Sequence, residues 1–154
     1  MTESGKAFVG DTFGDGALPD IAFETFQPAA GSPYYLICPD NYCMPQDTPI
    51  APTWAVPVSD LSSVMIDFAD QRADVKVAKM NLADRQFDFL VTRDGKPWPD
   101  VITVRFISLG SRLSSVALFA RTPVGTSTLQ KDHIDFVTLW IDNAKSRLPI
   151  SSIK

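Results

Sequence analysis

The sequence predicts an α+β domain: an antiparallel sheet of about four strands with two helices packed on one face, preceded by an extended, Pro-rich acidic arm. Three observations point there. Two segments carry apolar residues at helical spacing, short segments between them alternate apolar and polar residues, and the prolines gather toward the N-terminus. With 154 residues, 45% of them hydrophobic, the chain can bury one core, and nothing in it calls for a second. The expected division is an arm over residues 1–35 and a single domain over 36–154.

The arm comes first. From Met1 to Pro57 the only basic residue is Lys6, set against Glu3, Asp11, Asp15, Asp20, Glu24, Asp40 and Asp47. That leaves 13 of the 14 Lys and Arg, but only 11 of the 18 acids, for residues 58–154. Prolines at 19, 28, 33, 39, 45, 49, 52 and 57 argue against long helices and central strands here. Yet Phe8, Phe13, Phe23, Phe26, Tyr34, Tyr35, Tyr42 and Trp54 are too many rings for a solvated tail. The expectation is a largely ordered segment with little regular structure. It either wraps over its own domain and covers an apolar face or docks in part on another subunit.

From Val58 onward the periodicities are clean. Ser59 can cap a helix in which Leu61, Val64, Met65, Phe68 and Ala69 form one apolar stripe, ending near Arg72. Val75, Val77 and Ala78 mark a first strand, and Phe87, Phe89 and Val91 alternate with Asp88 in a second, the pattern of a half-buried strand. Asp94-Gly95, Pro97 and Pro99 then break the chain. A third strand runs from about Val101 to Leu109 and a fourth from Ser114 to Thr122, joined across Gly110-Ser111-Arg112. Pro123 and Gly125 end the run. A last helix, roughly Gln130 to Arg147, lines up Val137, Trp140, Ile141, Ala144 and Leu148, with Phe136 beside them.

Burial fixes the register of the last two strands. If Ile102, Val104 and Phe106 face the helices, their cross-strand partners should be apolar too, because a slip of one residue would invert a whole strand. Pairing residues whose numbers sum to 222 sets Ala120, Leu118 and Val116 opposite them. The other face then carries Val101, Thr103, Arg105 and Ile107 with Arg121, Phe119 and Ala117. That mixed face needs a cover. Arg105 and Arg121 are the sharpest binding candidates in the chain, since guanidinium forks grip carboxylate or phosphate bidentately, with Phe119 between them. The plainer alternative is internal pairing, with Asp100 at the strand entrance or with an acid of the arm.

Other chemistry is sparse. A net charge of -4 and a pI near 4.8 argue against nucleic acid as a partner. No apolar run approaches the roughly 18 residues a membrane span needs, and the first residues lack the basic and apolar regions of a secretory signal. Membrane association would then require a partner or a removed leader. His133 is the single histidine, so no metal cluster at motif spacing exists and no cofactor is implied. At the start of a helix it reads as a capping or surface residue. Ser127, His133 and Asp100 could meet as a triad, though no strained Gly-x-Ser-x-Gly elbow accompanies them. Asp84 with Asp88, and Asp132 with Asp135, read as solvated carboxylates.

Four pieces of the chain resemble the bacterial and plastid family called domain of unknown function 1499. Cys38-Pro39-Asp40-Asn41-Tyr42-Cys43 is similar to its opening Cys-Pro, Asn-Cys signature. Trp98-Pro99-Asp100 before Ile102-Thr103-Val104-Arg105 resembles its Phe-Pro-Asp and following strand. Ser115 to Thr122 resembles its strand ending in Ser-Arg-Ser, and Gly125-Thr126-Ser127 the glycine turn after it. The resemblance spans roughly residues 36–147. It departs at Ser127-Thr128-Leu129-Gln130-Lys131-Asp132-His133, where the family's acid and Asn-Arg pair are absent. The resemblance implies an envelope location, often exported or lipid-anchored, and supplies no catalytic residue.

Cys38 and Cys43 are the only cysteines, an even count at short spacing with turn-forming residues between them. In a cytoplasmic protein they would be free thiols; the oxidising compartment implied by the resemblance favours a disulfide. The expected function is a non-enzymatic periplasmic or cell-envelope binding or assembly domain, an accessory subunit contacting a protein partner through the arm or the mixed face. The alternatives are a small-molecule or lipid binder using a cavity between helices and sheet, and a hydrolase.

Overall fold

The computed structural model describes residues 21–28, 33–45, 48–93, 99–122 and 130–151. The aromatics Phe8 and Phe13, the turn residues Gly95 and Trp98, and Ser127 of the possible triad lie outside the described residues. Within them the fold is α+β. Five strands, β1 (Tyr34–Ile37), β2 (Val75–Asn81), β3 (Gln86–Val91), β4 (Asp100–Gly110) and β5 (Leu113–Arg121), form one antiparallel sheet in the order β1-β5-β4-β3-β2. Helix α1 (Val58–Asp70) and helix α2 (Gln130–Arg147) cover one face. No helix among the described residues is long and apolar enough to cross a membrane.

The predicted register of the β4–β5 hairpin is the observed one: Ile102 pairs with Ala120, Val104 with Leu118 and Phe106 with Val116. These six residues meet Leu61, Met65 and Ala69 of α1 and Val137, Trp140, Ile141 and Ala144 of α2 in the main core. Trp140 is fully buried, stands edge-on to Phe89 with ring centroids 5.1 Å apart, and donates its indole N–H to Met65 O at 2.9 Å. One side chain thus ties α2 to both the sheet and α1, filling volume while satisfying its polar atom.

Three expectations need correction. The sheet has five strands rather than about four, because Tyr34–Ile37 adds an edge strand to β5. Pro33 and Pro39 bracket a short run of β-forming residues, and prolines that bar a central strand are tolerated at the ends of an edge strand. This strand straddles the expected arm–domain boundary at residues 35 and 36. Ser59 is not the cap of α1: the cap is Pro57, in extended conformation and without a side-chain hydrogen bond, and Ser59 lies in the first turn. Finally, β3 is not half-buried, since all six of its residues, Asp88 included, are buried. Its second face is covered as well as its first.

Residues of the N-terminal segment contribute cover on the second face of the sheet. Ile21 and Phe23 pack with Leu36, Cys38, Ile107, Ala117 and Phe119, joined by Phe26, Tyr34, Tyr42 and Cys43, in a separate cluster on the sheet face away from the helices. Residues 21–28 form a short strap there, closed on itself by the amides of Thr25 and Phe26, which both donate to Ala22 O.

Candidate functional site

Alternation along the strands decides which charged groups can meet. In β4 and β5 the even residues face the helices and the odd ones the mixed face, while in β3 the pairs Gln86–Arg105 and Asp88–Thr103 put the even residues on the mixed face. Arg105, Arg121 and Phe119 therefore share the mixed face, as the sequence suggests. Asp100 does not. It points to the helix side, the same side as Ile102, so pairing with Arg105 or Arg121 is excluded by parity.

Arg105 is held from three directions. Its Nε donates to Gln86 Oε1 at 2.8 Å, and its Nη1 reaches both carboxylate oxygens of Glu24 at 3.2 and 3.1 Å and the hydroxyl of Tyr42 at 3.2 Å. Tyr42 in turn donates to Glu24 Oε2 at 3.1 Å. Glu24 is an acid of the strap, so this arginine has the internal partner that the plainer reading supposes. The Glu24 carboxyl lies below its usual range, first through its own backbone N–H and further through Tyr42 and Arg105. Burial raises the Tyr42 phenol. Rings complete the contact: the Arg105 guanidinium lies 5.9 Å from the centre of Phe23, and Phe26 meets Phe119 edge-on at 4.7 Å.

Arg121 differs. Its Nη1 donates to Thr103 Oγ1 at 2.7 Å and to Phe119 O at 3.2 Å, and its guanidinium lies 4.7 Å from the Phe119 ring centre. Thr103 passes the contact on by donating its hydroxyl to Asp88 Oδ1. Among the described residues no carboxylate forms a salt bridge with Arg121; its charge feels Asp88 through Thr103. Burial accordingly lowers the pKa of Arg121 to about 10, with Asp88 opposing the shift. Asp88, expected as a solvated carboxylate, is only 3% exposed.

A second cluster closes the opposite face at one end of the sheet. Asp100, 1% exposed, accepts from Arg93 Nε at Oδ2 and from Thr122 Oγ1 at Oδ1, the latter at 2.9 Å. Thr122 Oγ1 lies 3.2 Å from His133 Nε2, and His133 Nδ1 lies 4.0 Å from Asp100 Oδ2. His133 is fully buried, not the capping or surface residue its position suggests, and burial lowers its pKa, which favours the neutral ring. Asp100 and His133 of the possible triad do meet. Their contact joins the starts of β4 and α2 to the end of β5, and no face of the imidazole is open to a substrate. Its Nδ1 has no hydrogen-bond partner among the described residues.

The disulfide is present, linking Cys38 and Cys43 with Cα atoms 6.1 Å apart. Between them Tyr42 N donates to Pro39 O, and Asn41 takes a left-handed conformation with φ 61°, which Asn tolerates better than most residues. A polar cleft of about 350 Å³ adjoins this loop, lined by residues including Asp40, Asn41 and Thr48.

Sequence reasoning placed Thr103 on the mixed face but missed Glu24, Tyr42, Gln86 and Asp88 there. A usable signal existed for Gln86 and Asp88. Extending the alternation argument from β4 to β3 sets Gln86 opposite Arg105 and Asp88 opposite Thr103. No comparable signal exists for Glu24 and Tyr42, which reach the face from irregular segments. No protein-family model matches the chain, and no curated protein matches it.

Proposed function

We propose that this chain is a non-enzymatic cell-envelope binding or assembly domain whose mixed sheet face receives an acidic, aromatic segment of a protein partner. The observation that carries this reading is the strap itself. Residues 21–28 supply a carboxylate to Arg105 and rings to Phe119 and Arg105, so the chain exhibits the chemistry that fits its own face. Arg121, half-buried without a salt-bridge partner among the described residues, adds a second seat for an anion. The disulfide fits an oxidising compartment. The resemblance to domain of unknown function 1499 points to the same compartment, and we place the chain there as a divergent member acting as an accessory subunit.

The test uses a synthetic peptide with the sequence of residues 21–28 and the full chain carrying Phe23→Ala and Phe26→Ala, which weaken its own strap. Calorimetric titration should show saturable binding that Arg105→Ala abolishes. Absence of binding to the strap-weakened chain, or binding indifferent to Arg105, would remove this reading.

A further inference from the structure

Two contacts join the strap to the disulfide loop outside the aromatic cluster, and both fall on the neighbours of one cysteine. Tyr42 bonds Glu24, and Met44 Sδ accepts from Gln27 Nε2 at 3.4 Å. Cys43 lies between them. The loop is fixed at its start, where Cys38 N donates to Pro49 O and Ala51 N donates to Cys38 O. At Cys43 the covalent link to Cys38 supplies the corresponding anchor.

We propose that the Cys38–Cys43 disulfide is a redox latch that holds the strap over the mixed face, and that a dithiol reductant opens it. The inference rests on the proposed binding role of that face and adds its regulation. Cys43 is half-buried whereas Cys38 is 2% exposed, so attack falls on Cys43. A reductant thiolate bonds to Cys43 Sγ, the Cys38–Cys43 bond breaks, and Cys38 leaves as a thiolate that takes up a proton. The second reductant thiol, losing its proton, then displaces Cys43 and closes the reductant's own disulfide. Cys43 leaves as a thiolate and is protonated in turn. Two electrons pass from the dithiol to the cystine. With its neighbour unanchored, Tyr42 no longer braces Glu24 and Arg105, and the strap keeps only that ion pair and its packing.

Amide hydrogen exchange on the intact protein, oxidised and after treatment with dithiothreitol, tests this. Opening the bridge should speed exchange of the Thr25 and Phe26 amides by at least about tenfold while β4 and β5 keep their protection. Tyr42→Ala with the disulfide intact should loosen the same amides. Two titratable thiols together with unchanged exchange at residues 21–28 would overturn the latch, and so would an equal loss of protection in β4 and β5, which reports unfolding of the whole domain. The peptide titration separates the two ideas: a strap loosened by reduction over a face that binds no peptide leaves the latch standing and removes the binding role.

Discussion

Two arginine–carboxylate pairs sit on opposite faces of one sheet and differ in what surrounds them. On the helix side, Arg93 meets an Asp100 that is 1% exposed; on the mixed side, Arg105 meets a Glu24 that is 52% exposed. The first pair is part of the domain's closure, with both carboxylate oxygens occupied and a neutral histidine alongside. The second is a contact between the domain and a segment laid over it, bathed by water on its acidic side. A buried carboxylate cannot lose its cation cheaply, whereas a solvated one can, so the same ion-pair chemistry is structural on one face and exchangeable on the other.

The comparison breaks most easily at Arg93. Arg93→Ala leaves Asp100 buried with a hydroxyl and a neutral imidazole, and should cost about 3–5 kcal/mol in denaturant unfolding. A loss no larger than that from removing Glu24 would erase the distinction between the faces.

Acidification probes the same cluster. Because burial lowers the folded-state pKa of His133, the unfolded chain takes up the proton first, and stability falls as pH drops below the ordinary histidine value. One such group contributes at most about 1.4 kcal/mol per pH unit. His133→Gln should flatten the stability profile between pH 7 and 5; a slope unchanged by the substitution would assign it to other groups.

On the mixed face, Arg121→Met should leave stability within about 1 kcal/mol of the parent, since a half-buried charge without a salt-bridge carboxylate among the described residues gives way to an apolar chain of similar length. Peptide binding should nevertheless weaken. A large loss of stability would show that Arg121 serves the fold as Arg93 does. The smallest effect belongs to Glu24→Ala, expected at about 0.5 kcal/mol in unfolding, with faster amide exchange confined to the strap.

What the sequence reveals follows from which contacts are local. The β4–β5 register was readable because two apolar runs joined by a tight turn must keep their alternation in step, and α2 because its stripe recurs over five turns. β1 was not, since Tyr34–Ile37 takes its partner from β5, far along the chain, and no local pattern encodes such pairing. Asp88 and His133 look exposed from sequence because burial of a polar group depends on cover arriving from elsewhere. Arg105 and Arg121 stood out on parity alone, while Glu24 and Tyr42, which complete the Arg105 contact, come from segments without periodicity.

The pairing of β1 with β5 also sets an order of events during synthesis. β2 to β5 form a meander in which each strand meets its neighbour soon after it is made. β1 must wait for nearly the whole domain. The bond from Cys38 to Cys43 closes across a sequence separation of 5 and needs nothing downstream. Joining these two thiols therefore does not require β1 to have found its partner, so at this end of the molecule the covalent link is independent of the sheet.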